Sequence, residues 1–174
     1  MNRKNHPSNV AVTYNQSHHW NLAQANIGRL RAPLGDPSMA GFADNLAHIN
    51  QLGWKQPGFW QHITVDGNST RFYVFDDPNI MMNMTVWESI EALHTFSYRS
   101  EHAEFVKRRR EWFEPMGGPT MVLWWVPIEH EPTPEEAKER LALLAEHGPT
   151  PLAFTFAKSF STKEMLAFLK QSVY

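Results

Sequence analysis

Between Trp20 and Val126 the apolar residues switch period, from two to about 3.6 and back, and the order of those switches restricts the fold more than any other feature. "WNLAQANIGRL", Trp20–Leu30, alternates and runs into a Pro-Gly-Asp-Pro turn region, so it predicts a first strand. One face carries Leu22, Gln24 and Asn26; the other carries Asn21, Ala23, Ala25 and Ile27. The polar pair Gln24 and Asn26 is more than a purely packed face needs. Asp36 then caps a helix and Pro37 suits its first turn. Met39, Phe42, Leu46 and Ile49 form its apolar stripe, and Gly53 is the expected stop.

Gly58–Val65 predicts a second strand, with Trp60 and His62 on one face and Phe59, Gln61 and Ile63 on the other. "DGNST" is a turn and "RFYVF" its expected hairpin partner. Ile80–Trp87 predicts a further strand, with Asn83 set among methionines. "ESIEALHTFSY" begins a helix that Ser100 caps anew, with a kink expected near Tyr98–Ser100. Thr120–Val126 is the last strand. The result is α+β: a ferredoxin-like β-α-β-β-α-β antiparallel sheet with an extra hairpin strand. Beyond it come a helix in "PTPEEAKERLALLAEHG", an extended arm or strand in "LAFTFAKSF" and a short terminal helix. The expected division is a flexible polar tail over 1–18, one domain over 19–156 and a C-terminal extension over 157–174.

Helices on one face of such a sheet leave the other needing a cover. With seven Trp and eleven Phe, a second subunit is the expected cover, making a homodimer. A net charge of −2 argues against binding nucleic acid through its phosphates. The absence of cysteine removes disulfides, thiolate nucleophiles and Cys-based metal sites, and fits a reducing cytoplasm. No apolar run is long enough to cross a bilayer, and the basic N-terminus has no apolar core of a secretory signal.

The chemistry centres on "EHAEFVKRRREWFEPM", Glu101–Met116. On one continuous helix Phe105, Val106 and Trp112 or Phe113 define the apolar face. His102 and Arg109 then fall on that buried side, with Tyr98 one turn earlier, while Lys107, Arg108 and Arg110 project elsewhere. An inward guanidinium must be paired, and an inward imidazole titrates near neutrality. Asn26, Asn83 and His62 on the strands are the expected partners across a cavity, and Trp87, Trp112 and Trp124 the expected aromatic lining. The same residues also fit a structural network tying helix to sheet. No His-Glu-x-x-His, Gly-x-Ser-x-Gly or phosphate-cradling glycine loop is present.

"LAQANIGRLRAPLGDPSM", "FDDPNIMMNMTVWESIEALHTFSYRSEHAEFVKRRREWFEP", "LWWVP" and "HGPTPLAFTF" resemble, in order, a bacterial family catalogued as a domain of unknown function. That family is placed in the dimeric α/β-barrel superfamily. Its relatives include cofactor-independent monooxygenases of antibiotic biosynthesis, haem-degrading monooxygenases, muconolactone isomerases and aldoxime dehydratases. The resemblance implies a pocket between sheet and helices and two sheets packed face to face. It supplies no catalytic residues to carry over. Three readings follow. The first is an enzyme without cofactor acting on a small apolar or aromatic molecule of secondary metabolism, as a monooxygenase or an isomerase/cyclase. His102 would move the proton, Arg109 and Asn83 would hold the oxyanion and Tyr98 would orient. The alternative is a non-covalent haem protein, with His102, His62 or His94 as axial ligand and Arg109 on a propionate. The last is a non-catalytic ligand-binding or structural dimer.

Overall fold

The computed structural model describes residues 19–64 and 71–171. The expected tail over 1–18, the turn at 66–70 and the last three residues lie outside them. The strands are β1 (Trp20–Leu30), β2 (Phe59–His62), β3 (Arg71–Phe72), β4 (Ile80–Trp87), β5 (Phe113–Glu114) and β6 (Met121–Pro127). The helices are α1 (Ala40–Ala43), α2 (Leu46–Lys55), α3 (Ile90–Arg99), α4 (His102–Arg108), α5 (Pro134–His147) and α6 (Thr162–Gln171).

The sheet is antiparallel with β4 and β1 at its centre. On one side β2 pairs with the Thr85–Trp87 end of β4, and β3 continues along Met82–Asn83. On the other, β6 pairs with Trp20–Asn26 of β1, and β5 with Arg29–Leu30. Six strands therefore lie in four columns, the ferredoxin-like order. The expected hairpin strand is corrected here: β3 does not fold back on β2 but extends the same edge column along β4.

The first helical region starts as read, with the Asp36 carboxylate accepting from the Ser38 backbone N–H at 2.9 Å. It opens as a 3-10 turn over Pro37–Met39, and α2 runs through Gly53 to Lys55 rather than stopping there. The break between α3 and α4 falls at Ser100, whose hydroxyl donates to the Phe96 carbonyl and accepts from the His102 N–H. The helix expected to continue to Trp112 ends instead at Arg108 and tightens into a 3-10 turn over Arg109–Glu111.

Alternation divides the core between the two sheet faces. Leu22, Trp87 and Leu123 pack with Leu93 and Phe96 of α3 and with Phe154 of the arm. Farther along the same face, Leu30 and Met81 pack with Met39, Phe42 and Trp112. The opposite face carries Ala23, Ala25, Met82, Met84, Val86, Val122, Trp124 and Val126. The expectation that a second subunit would cover that face is overtaken by α5 of the same chain, which buries Ala137, Leu141 and Leu144 there. Thr133 caps α5 by accepting from the Glu136 N–H, and Gly148 ends it at φ 68°. The arm joins β6 by paired bonds between Leu123 and Phe154, both 2.9 Å.

Leu141 carries much of this cover, being 6% exposed. Leu141→Ala is expected to lower unfolding free energy by about 2–4 kcal/mol, read as a lower urea midpoint with an unchanged slope.

Candidate functional site

Residues directly opposite in an antiparallel pair share a face. Gln24 lies opposite Thr85, and Asn26 opposite Asn83. His62 is paired with Thr85 from the other side, and Arg71 with Asn83. The α3-side face of the sheet thus carries two polar rows, Gln24–Thr85–His62 and Asn26–Asn83–Arg71. They lie between the apolar cluster around Trp87 and the one around Met81 and Trp112.

The buried part of this floor is fully bonded, and its donors all run in one direction. Trp87 Nε1–H donates to Thr85 Oγ1 at 2.8 Å, and the Thr85 hydroxyl donates to Gln24 Oε1 at 2.7 Å. Gln24 Nε2–H in turn donates to Asn26 Oδ1 at 3.0 Å. Such a chain polarises its members cooperatively. Asn26 is exposed, so the relay ends at solvent with the Asn26 amide N–H donors unspent among the described residues.

His62 is held beside this floor by Trp54, whose Nε1–H donates to His62 Nδ1 at 2.9 Å, and by Phe59 at 5.2 Å between ring centroids. Burial pushes its pKa down to about 4, so it is neutral at physiological pH. With Nδ1 accepting, the proton of the neutral ring sits on Nε2, which makes His62 a donor. Phe59 stands edge-on to Trp87, Trp87 packs on Phe96, and Phe96 stacks on His102 at 4.6 Å. Desolvation also lowers the His102 pKa, against the opposing pull of the Ser97 carbonyl. His102 Nδ1 is buried and lacks a well-formed hydrogen bond. Two neutral imidazoles therefore flank one wall of aromatic rings.

The structure brings together His62, Asn26, Asn83 and Trp87, and joins His102 to them through Phe96 and Trp87. His62 and Phe59 share a face rather than opposing ones, because a register shift between Phe59 and Gln61 resets the alternation. Arg109 is a correction: its side chain is exposed, and Nη1 donates to the Val106 carbonyl at 3.2 Å. The inward placement assumed an unbroken α-helix to Trp112, whereas the 3-10 turn changes the angular step from Arg109 onward. So placed, Arg109 no longer supports a haem propionate contact. Tyr98 is likewise corrected: 47% exposed, it packs at the surface with His94 and Phe156. Trp112 is buried in the separate cluster with Met39 and Phe42, beneath the Arg108 guanidinium. Trp124 is on the opposite sheet face, where Nε1–H donates to Glu136 of α5 at 2.9 Å.

Gln24, Thr85, Trp54 and Arg71 were not among the expected site residues. Gln24 and Thr85 each stand two positions from an expected one, so alternation alone could have added them. Arg71 could not be found that way, because its place depends on β3 pairing with β4.

The family described as "Domain of unknown function (DUF3291)" matches residues 21–169. The chain belongs to that family. No curated protein matches the sequence. Among solved structures, the DUF3291 chain is similar to SnoaB, a cofactor-independent oxygenase from Streptomyces nogalater, at 15% identity and a TM-score of 0.43, covering 66% of this chain and 97% of that one. It is also similar to a conserved protein from Methanosarcina mazei Go1, at 12% identity and a TM-score of 0.44, covering 63% and 94%. No helix among the described residues is long and apolar enough to cross a membrane.

Between about pH 6.5 and 4 the unfolded chain binds a proton at residue 62 that the folded chain does not. Stability is therefore expected to fall as pH drops through that window and to level off below it. In NMR titration the His62 ring signals should stay unshifted from pH 8 down to 5. Thr85→Val strands the Trp87 N–H and the Gln24 carbonyl, so it should destabilise by about 1–3 kcal/mol in urea unfolding.

Proposed function

We infer that the protein binds a small, mostly apolar ring-bearing molecule on the polar floor, through an enolisable carbonyl or phenolic oxygen. It then moves a proton from that molecule without a cofactor. The carrying observation is the one-way relay from Trp87 to Asn26, which ends on amide donors in a polar floor between two apolar clusters. Neutral His62 adds an Nε2–H, and Asn83 and Arg71 belong to the same row as Asn26. Donors fixed in advance around one oxygen stabilise the charge that develops there when the neighbouring carbon or hydroxyl loses its proton. Arg71 takes the part that the sequence reading gave to Arg109.

His102 is the proton acceptor in this reading. Its lowered pKa keeps it neutral and able to accept, and a neutral base near physiological pH is what general base catalysis needs. Half-buried Phe59, edge-on to the buried Trp87, supplies apolar surface for the ligand ring. An isomerase and a cofactor-independent oxygenase share this first step, since the resulting electron-rich anion is either reprotonated elsewhere or passes an electron to oxygen. SnoaB performs oxygenation without a cofactor. A homodimer in the cytoplasm remains part of the proposal, but its contact would lie away from the α5-covered face.

The test is proton exchange. Enolisable aryl ketones such as 2-indanone are incubated with the protein in D2O and deuterium uptake is followed by proton NMR. Acceleration is expected with the wild-type protein, falling by about a hundredfold in His102→Gln and about tenfold in Asn83→Leu. If both variants exchange at the wild-type rate while folding normally, the residues are structural and the proposal fails.

A further inference from the structure

A concavity of about 240 Å³ lies at the outer edge of β6, away from the polar floor. Trp20 and Trp125 supply flat apolar surface, and Leu152, Met165 and Leu169 supply aliphatic surface from the arm and α6. The polar part of the wall is three side chains, His130, Glu136 and Arg140. Their hydrogen bonding is unequal. Glu136 Oε1 already accepts from Trp124 Nε1–H at 2.9 Å, and Oε2 from His130 Nε2–H at 2.7 Å. Among the described residues Arg140 makes one hydrogen bond, from Nη1 to the Leu152 carbonyl at 3.1 Å, and its Nη2 is ion-paired at 3.7 Å with Glu136 Oε1. Arg140 is also the more open of the two, its side chain 26% exposed against 19% for Glu136. A guanidinium carries five N–H donors. The pocket thus has a carboxylate at its back with both oxygens engaged, and beside it an ion-paired guanidinium with N–H donors to spare among the described residues.

We propose that this pocket is a binding site for a small aryl carboxylate, its ring against Trp20 and Trp125 and its carboxylate on Arg140. The unused guanidinium donors select an acceptor head group, because each Glu136 oxygen already accepts a hydrogen bond while Arg140 donates one, to Leu152, among the described residues. A guanidinium matches a carboxylate in two-point geometry, and a half-enclosed site strengthens that contact over its value in open water. The site differs from the polar floor in position as well as chemistry. It is built from the first residue of β1, from β6, α5, the arm and α6, and shares no residue with the floor. It also gives α6 a role, since Met165 and Leu169 form one side of it.

Phenylacetate and its neutral isostere phenylacetamide are titrated into the full chain by calorimetry, with indole N–H signals followed by NMR. Phenylacetate should bind saturably and shift the Trp20 and Trp125 signals, leaving those of Trp54 and Trp87 in place. The amide should bind about tenfold more weakly, and Arg140→Gln should cost the acid about tenfold. Leu169→Glu, a substitution on the exposed side of α6, should weaken the acid at least as much without altering the circular dichroism. It guards against the case in which Arg140→Gln loosens the arm by losing the Leu152 contact. No saturable binding, equal binding of acid and amide, or shifts centred on Trp54 and Trp87 would each overturn the proposal.

Discussion

The antiparallel ladder between β1 and β4, from Leu22–Trp87 to Arg29–Ile80, fixes where every other element can go. It places Gln24 across from Thr85 and Asn26 across from Asn83, and so collects polar side chains that are far apart in sequence on one face. A slip of a single residue would send those side chains into the methionine-rich core under α5 and turn Met82 and Met84 toward α3. Both errors are costly, because unpaired polar groups would be buried on one side and apolar ones exposed on the other. The correct register instead pairs Thr85 with Gln24 and completes the Trp87 indole contact. Sheet geometry and site geometry are thus one constraint.

That dependence explains what could be read from the sequence. The bounds of β1 and β4, the Asp36 start, the restart at Ser100 and the order of elements all follow from local periodicity and capping. Asn26 and Asn83 were legible as polar positions on one sheet face for the same reason, whereas the face of His62 depended on the register shift in β2. Arg109 was not, because its direction depends on how the segment ends: one tightened turn moves a long side chain from the buried stripe to solvent. The cover supplied by α5 was also hidden. Ala137, Leu141 and Leu144 form a helical stripe, but no periodicity states which surface a stripe will meet. Arg71 needed a pairing partner that was not its nearest neighbour in the chain.

The two imidazoles differ in a way that burial alone does not give. His62 has its Nδ1 occupied by the Trp54 indole, which commits its remaining nitrogen to donation. Among the described residues the His102 ring is defined by stacking on Phe96 and by the pull of the Ser97 carbonyl, and its Nδ1 lacks a well-formed hydrogen bond, so its proton position is less constrained. In the proposed function, His62 is the fixed donor and His102 the less fixed acceptor of the pair.

The outer columns of the sheet have a consequence for the molecule's behaviour in a crowded solution. An unbroken, flat border strand offers its free amides and carbonyls to any other extended chain and so seeds fibrils. Here β2 has four residues and β3 and β5 two each, with a register shift inside β2. The longer β6 has its free side occupied at Leu123 by the arm through Phe154. These short, interrupted border strands leave little continuous backbone for a stranger to zip onto, so a sheet rich in aromatic and aliphatic residues can stay dispersed.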